Sequence, residues 1–140
     1  VNIFLDSSVN LAAAGSDRGA SRMLFINAAR NGISLQTSQY VLNEVEYNLS
    51  KFPASAQQMW AETKSQLVVV ADIVQIAWPT ILLPAKDRPV LYTALAWSDV
   101  LLTLDRRHFS QLIGTTFYGL PVETPGQFVA KHRTRFEWSY

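Results

Sequence analysis

Residues 100–104 read Val-Leu-Leu-Thr-Leu and run directly into Asp105. An apolar run this short, with no alternation between polar and apolar positions, fits a strand covered on both faces, as inside a parallel sheet. The segment before it has a helical pattern: Val90, Leu91, Ala94, Leu95 and Ala96 recur near the 3.6-residue period, and Pro89 suits a first helical turn. The pair leaves Asp87 at the start of the helix and Asp105 at the end of the strand. Open parallel sheets bind ligands outside the carboxyl ends of their strands, so Asp105 is the first candidate for chemistry.

The amino-terminal part repeats this arrangement. Residues 1–5 predict a strand that stops at Asp6, and Ser7 or Ser8 could cap a helix over 9–14, leaving the Asp6 carboxylate spare. Ala20, Met23, Leu24 and Ala28 mark one face of a second helix ended by Gly32, and residues 33–37 predict the next strand. Strand, helices and strand in this order imply a right-handed crossover and an α/β fold.

A longer helix is expected over 38–52, with Leu42, Val45, Leu49 and Phe52 on its buried stripe, Glu44 beside that stripe and Glu46 in solvent. Residues 53–64 predict an amphipathic helix carrying Ala56, Met59, Trp60 and Thr63. Residues 67–70 fit a third strand or an extended helix end, and 71–84 are ambiguous, broken by Trp78, Pro79 and Pro84. Residues 106–113 predict a short helix closed by Gly114. Residues 115–118 and 122–124 predict one last strand with turns at Gly119 and Pro121, and a final helix opens at Pro125 and Gly126.

A chain of 140 residues suits one domain, here 1–140, with no repeat or linker. A formal net charge of +1 creates no bulk field for nucleic acid or membrane. Cysteine is absent, so disulfides and thiolate metal sites are excluded and any metal must use oxygen or imidazole ligands. No apolar run approaches the roughly 20 residues of a bilayer span, and the opening VNIFLDSSV lacks a basic lead and carries an acid. A cytoplasmic protein without membrane partners is expected.

Asp6, Glu44, Asp87 and Asp105 come from four separate segments whose expected places can converge at one edge of a parallel sheet. Clustered carboxylates repel, so their coexistence raises pKa values or calls for a divalent ion. Hard ions such as Mg²⁺ and Mn²⁺ suit oxygen ligands. Two of them about 3.5 to 4 Å apart could activate a water and stabilise the leaving oxygen of a phosphodiester.

The chain resembles a PIN domain, the nuclease fold that includes the VapC-like ribonuclease toxins of prokaryotic toxin and antitoxin pairs. The family's opening strand, ending in Asp followed by small hydroxyl residues, is matched by Phe4-Leu5-Asp6-Ser7-Ser8-Val9. Its second acid, a Glu in an apolar helix after the second strand, is matched by Glu44 within Tyr40-Val41-Leu42-Asn43-Glu44-Val45. Asp87 matches the Asp that leads an alanine-bearing helix. Thr103-Leu104-Asp105 with Arg106-Arg107-His108-Phe109 matches a Thr-x-Asp strand end followed by a basic residue and an aromatic.

The resemblance covers nearly the whole chain. It implies a three-layer α/β/α fold around a mainly parallel sheet of four to five strands. It also implies a metal-dependent endoribonuclease with the four acids as ligands of Mg²⁺ or Mn²⁺, a metal-bound water as nucleophile, RNA as substrate, an antitoxin partner and a homodimer. Two departures stand out: Arg88 and Pro89 follow Asp87 where the family more often continues into apolar residues, and 53–84 carries no transferable motif. Asp99, just before the expected strand, is common in the family and is either structural or peripheral to the site.

Each residue also has a plainer reading. An Asp at a helix start contributes about 1 kcal/mol as a cap, so Asp87 is a cap or a ligand. Glu44 alone would pair with Arg22 or Lys51 on the surface. Ser8 and Thr103 could orient the acids, or serve as a helix cap and a strand hydroxyl. His108 and His132 read as surface residues. Arg106, Arg107 and the run 131–135 could grip phosphates, although cations at a helix end also suit the macrodipole. An inactive PIN-like binding module is the alternative, with Phe136, Trp138 and Tyr140 as its contact surface. A phosphatase of the HAD type would need an Asp where Ser8 stands, and a receiver would need paired acids near the amino end.

Overall fold

A computed structural model of the chain describes residues 1–80 and 83–140. It begins with β1 (Asn2–Leu5), whose last three residues are buried, and Asp6 then caps α1 (Ser7–Gly15) by accepting the Ser7 amide. The cap is thus Asp6 itself, and neither Ser7 nor Ser8 takes that role. α2 (Ala20–Asn27) continues into a 3₁₀ turn closed by Gly32, whose φ of 64° is the left-handed conformation that glycine adopts without strain. Next come β2 (Ser34–Ser38), α3 (Gln39–Leu49) capped by the Ser38 hydroxyl, α4 (Ala54–Lys64) and β3 (Val68–Val70). The ambiguity over 67–70 therefore resolves as a strand. Of the uncertain stretch 71–84, residues 81 and 82 lie outside those described. The chain closes with α5 (Arg88–Trp97), β4 (Val100–Leu102), β5 (Thr115–Phe117), β6 (Leu120–Glu123) and α6 (Pro125–Lys131).

The strands form one sheet in the order β3-β2-β1-β4-β6-β5, parallel except for β5. Side chains alternate between its two faces. Phe4, Leu101 and Val122 pack with Val41, Val45, Trp60 and Leu91 from α3, α4 and α5. Ile3, Leu5, Val100 and Leu102 pack with Val9, Leu24 and Phe128 from α1, α2 and α6. Three layers result, each helix burying one apolar stripe against the sheet. Among the described residues, no helix is long and apolar enough to cross a membrane.

Two local expectations are corrected. Among the described residues the sheet has six strands, where four to five were expected, because 115–123 folds as a hairpin. Tyr118 and Gly119 form its turn with φ values of 47° and 87°, matching the twist of a tight hairpin. Pro121 lies within β6, opposite Thr116, and makes no turn. Residues 106–113 form successive turns and no helix. The amides of Arg107 and His108 both donate to Asp105 Oδ1, and only isolated backbone bonds, Phe109 N to Asp105 O and Ile113 N to Phe109 O, have helical spacing.

The aromatic tail turns inward. Phe136 and Trp138 pack around Phe128, and Asn27 exchanges hydrogen bonds with the Ser139 backbone at 2.7 and 3.0 Å. Of the three aromatics offered as a contact surface, Tyr140 alone is fully exposed.

Candidate active site

Strand order reverses between β1 and β4: the chain moves from β1 outward to β2 and β3, then returns to the other side of β1. A crevice opens at the carboxyl ends flanking such a switch point. Asp6 ends β1 and Asp105 follows β4, so both border this crevice. Asp6 is 5% exposed, and both oxygens of its carboxylate accept hydrogen bonds from neighbours. Oδ1 accepts the Ser7 amide at 2.7 Å, and Oδ2 accepts the Thr103 hydroxyl at 2.8 Å and the Ser8 hydroxyl at 3.2 Å. Burial pushes the Asp6 pKa up to about 6; these hydrogen bonds oppose the shift, and the nearby Glu44 charge adds to it.

Ser8 and Thr103 extend this network into the turn that carries Asp105. The Leu104 amide donates to Ser8 Oγ and the Asp105 amide to Thr103 Oγ1, both at 3.0 Å. Asp105 Oδ1 is occupied by the two amides already described, which leaves Oδ2 to face its neighbours. Glu44 enters from α3 as an exposed residue; its Oε1 accepts the Ser7 hydroxyl at 2.8 Å. Among the described residues it has no lysine or arginine partner, so the surface ion pair expected with Arg22 or Lys51 does not form. Arg22 instead donates to the Ala13 carbonyl.

Asp87 sits where a 3₁₀ turn gives way to α5, and its side chain makes no capping hydrogen bond. Its Oδ2 is buried without a hydrogen-bond partner among the described residues. Burial raises its pKa; the His108 and Lys86 charges oppose this, whereas Asp105 and Glu44 add to it. Asp6 feels the charge of Glu44, and Asp87 feels those of Asp105 and Glu44; of the four acids, Asp87 and Asp105 are the two that bring carboxylate oxygens within 4.8 Å of one another and of His108.

Two neighbours of the site were not among the site residues expected from the sequence. His108 is half-buried with its Nδ1 2.9 Å from Asp105 Oδ2 and 3.3 Å from Asp87 Oδ2, which corrects its reading as a surface residue. The Asp105-x-x-His108 spacing was the available signal. Tyr40 lies one helical turn before Glu44, and its hydroxyl donates to the Lys86 carbonyl, fixing the backbone next to Asp87. Burial raises its pKa, as do the charges of Glu44, Asp87 and Asp72.

Asp99 is at the opposite edge. It precedes β4 and binds the Asn2 backbone in both directions at 2.8 Å, a link between strand beginnings. The basic run is also remote from the acids. Lys131, His132 and Arg135 line a groove with Val1 and Asp99, and Lys131 pairs with Glu123 at 3.0 Å. Arg106 and Arg107 are exposed on the turn beside Asp105.

The donor set suits a hard divalent ion. Carboxylate oxygens of Asp87 and Asp105 and a nitrogen of His108 all lie within 4.8 Å of one another. The buried Asp87 Oδ2, unpartnered among the described residues, is the kind of atom that a cation would satisfy.

No family model matches the chain, and no curated protein matches it. A solved structure does: a chain of VapBC2 from Rickettsia felis, determined bound to a DNA fragment from their promoter, superposes with a TM-score of 0.62. The two are 16% identical, and the match covers 89% of this chain and 98% of that one. A likeness at that identity speaks for the fold alone. The chain has a PIN-like α/β/α fold.

Proposed function

We propose that this chain is a divalent-metal-dependent endoribonuclease in which Asp6, Glu44, Asp87 and Asp105 hold Mg²⁺ or Mn²⁺ and phosphodiester bonds of RNA are hydrolysed. The observation that carries the reading is Asp87 Oδ2, buried without a hydrogen bond among the described residues, beside a second aspartate and within the field of a glutamate. Carboxylates that form no ion pair with a lysine or arginine among the described residues are well matched to a hard cation.

When bound, the ion would polarise a phosphoryl oxygen and make a water more nucleophilic at neutral pH. The chain's own residues do the rest. Thr103 and Ser8 fix the Asp6 carboxylate, the turn amides fix Asp105, Ser7 fixes Glu44, and Tyr40 fixes the backbone beside Asp87. Arg106 and Arg107 are the cations placed to contact phosphates next to an acidic centre that would otherwise repel RNA.

RNA as substrate, action as a homodimer in the cytoplasm, and an antitoxin partner belong to the same proposal. They rest on the motif resemblance, and the antitoxin partner also on the likeness to VapBC2. The inward packing of Phe136 and Trp138 removes most of the surface on which the binding-module alternative relied.

The test is cleavage of a fluorescent single-stranded RNA, with a matched DNA control, by wild type and Asp6→Asn in Mn²⁺, Mg²⁺ and chelator. Calorimetric titration of both ions accompanies it. Metal-dependent cutting of RNA by wild type, lost in chelator and in the variant, is the expected result. Wild type that binds neither ion at millimolar concentration and cuts nothing would sink the proposal.

A further inference from the structure

We propose that His108 is a nitrogen ligand of this same centre, its Nδ1 joining Asp87 Oδ2 and Asp105 Oδ2 around one ion, and that it tilts the centre from Mg²⁺ toward Mn²⁺. The inference rests on the metal-dependent reading above and goes beyond the four acids to which that reading is confined.

Three observations carry it. The first is separation. Donors bound about 2.1 Å from one ion and at right angles to each other lie about 3.0 Å apart. Nδ1 is 2.9 Å from Asp105 Oδ2 and 3.3 Å from Asp87 Oδ2.

The second is valence. A ring nitrogen offers one hydrogen or one lone pair, so it can satisfy only one of two facing carboxylate oxygens by hydrogen bonding. Asp105 Oδ2 is that partner, and Asp87 Oδ2 stays buried without a hydrogen bond among the described residues. A cation at the point where the three atoms converge would serve all of them.

The third is construction. The His108 amide donates to Asp105 Oδ1 at 3.0 Å, and the neighbouring Phe109 is anchored in the core at 1% exposure. The imidazole is therefore held at its position by the same turn that fixes Asp105.

Mg²⁺ favours an all-oxygen sphere and retains its waters, whereas first-row transition ions accept imidazole readily. Replacing one oxygen by Nδ1 therefore favours Mn²⁺ over Mg²⁺. His132, the other of the chain's two histidines, lines the groove with Asp99 and cannot substitute.

The experiment is pulsed electron paramagnetic resonance on untagged, Mn²⁺-loaded protein, prepared at natural abundance and with ¹⁵N-labelled histidine. The expected result is a directly bound ¹⁴N coupling that converts to ¹⁵N on labelling, persists in His132→Gln and vanishes in His108→Gln. Calorimetry on the same samples should show Mn²⁺ affinity falling about tenfold or more in His108→Gln, with Mg²⁺ affinity changing less. The labelled wild type answers the question even where the variant fails to fold. Mn²⁺ bound without a histidine coupling would overturn the assignment of His108 and leave the carboxylate centre standing. Failure of wild type to bind Mn²⁺ at all would overturn both.

Discussion

Thr103 donates its hydroxyl to Asp6 Oδ2 at 2.8 Å, joining residues 97 positions apart across the carboxyl ends of two neighbouring strands. Thr103 Oγ1 also accepts the Asp105 amide at 3.0 Å, so one buried side chain sets the position of two candidate ligands.

Thr103→Val keeps the shape of this side chain and removes both bonds. The loss leaves the Asp105 amide without its acceptor and Asp6 Oδ2 with the Ser8 hydroxyl alone, which costs about 1 to 3 kcal/mol. Urea unfolding of metal-free protein should show the lower midpoint, with Thr103→Ser close to wild type. RNA cleavage should fall at least tenfold in the valine variant, because Asp6 and Asp105 lose their common anchor. A valine variant with wild-type stability and activity would show that the hydroxyl positions neither acid.

The buried Asp6 predicts a pH dependence of stability. Its folded-state pKa of about 6 stands above the ordinary 3.8, so between these values the folded chain holds the extra proton. Its contribution is therefore fully present below about pH 3.8 and is lost as pH rises through 6. The difference corresponds to roughly 3 kcal/mol at alkaline pH. In chelator, Asp6→Asn should be more stable than wild type at pH 8 by about 1 to 3 kcal/mol, and that advantage should close by pH 4. Thermal melts of both proteins across this range test it; a constant difference would mean that Asp6 titrates alike folded and unfolded.

The acids at strand ends were legible because the apolar runs before them announce where a parallel strand stops. Asp6 and Asp105 needed little more than that, and Glu44 needed only the helical period. What escaped depended on chain direction. A helix that follows a parallel strand runs back along the sheet, so α6 carries its basic end toward the amino edge, where Lys131, His132 and Arg135 meet Val1 and Asp99. No local pattern in residues 131–135 reveals that return. Asp99 belongs to the same edge because it stands before its strand. His108 escaped for another reason: its second partner, Asp87, lies across the whole of α5 and β4, and only folding brings the two together.

Trp138→Ala tests whether the carboxyl-terminal aromatics are structural. The indole packs edge-on against Phe128 and Phe136, and its Nε1 donates to the His132 carbonyl at 3.2 Å. Truncating this half-buried side chain should cost about 2 kcal/mol in urea unfolding while leaving metal binding unchanged. Tyr140→Ala, at the exposed end, should change stability by less than about 0.5 kcal/mol. Equal effects of the two substitutions would contradict the inward packing.

Ser7→Ala separates the role of a positioning hydroxyl from that of the helix cap beside it. The Ser7 amide still donates to Asp6 Oδ1 in this variant, so α1 keeps its cap, and stability should stay within about 1 kcal/mol of wild type. The Ser7 hydroxyl, however, supplies the 2.8 Å bond that holds Glu44, an exposed residue with a flexible side chain. Without it, Glu44 gains rotamer freedom that must be lost again when an ion binds. Divalent-ion affinity should fall about tenfold. Calorimetric titration checks this directly. Ser7→Thr, which keeps the hydroxyl, should recover most of the affinity, whereas equal weakening in both variants would point to disturbed packing at the start of α1.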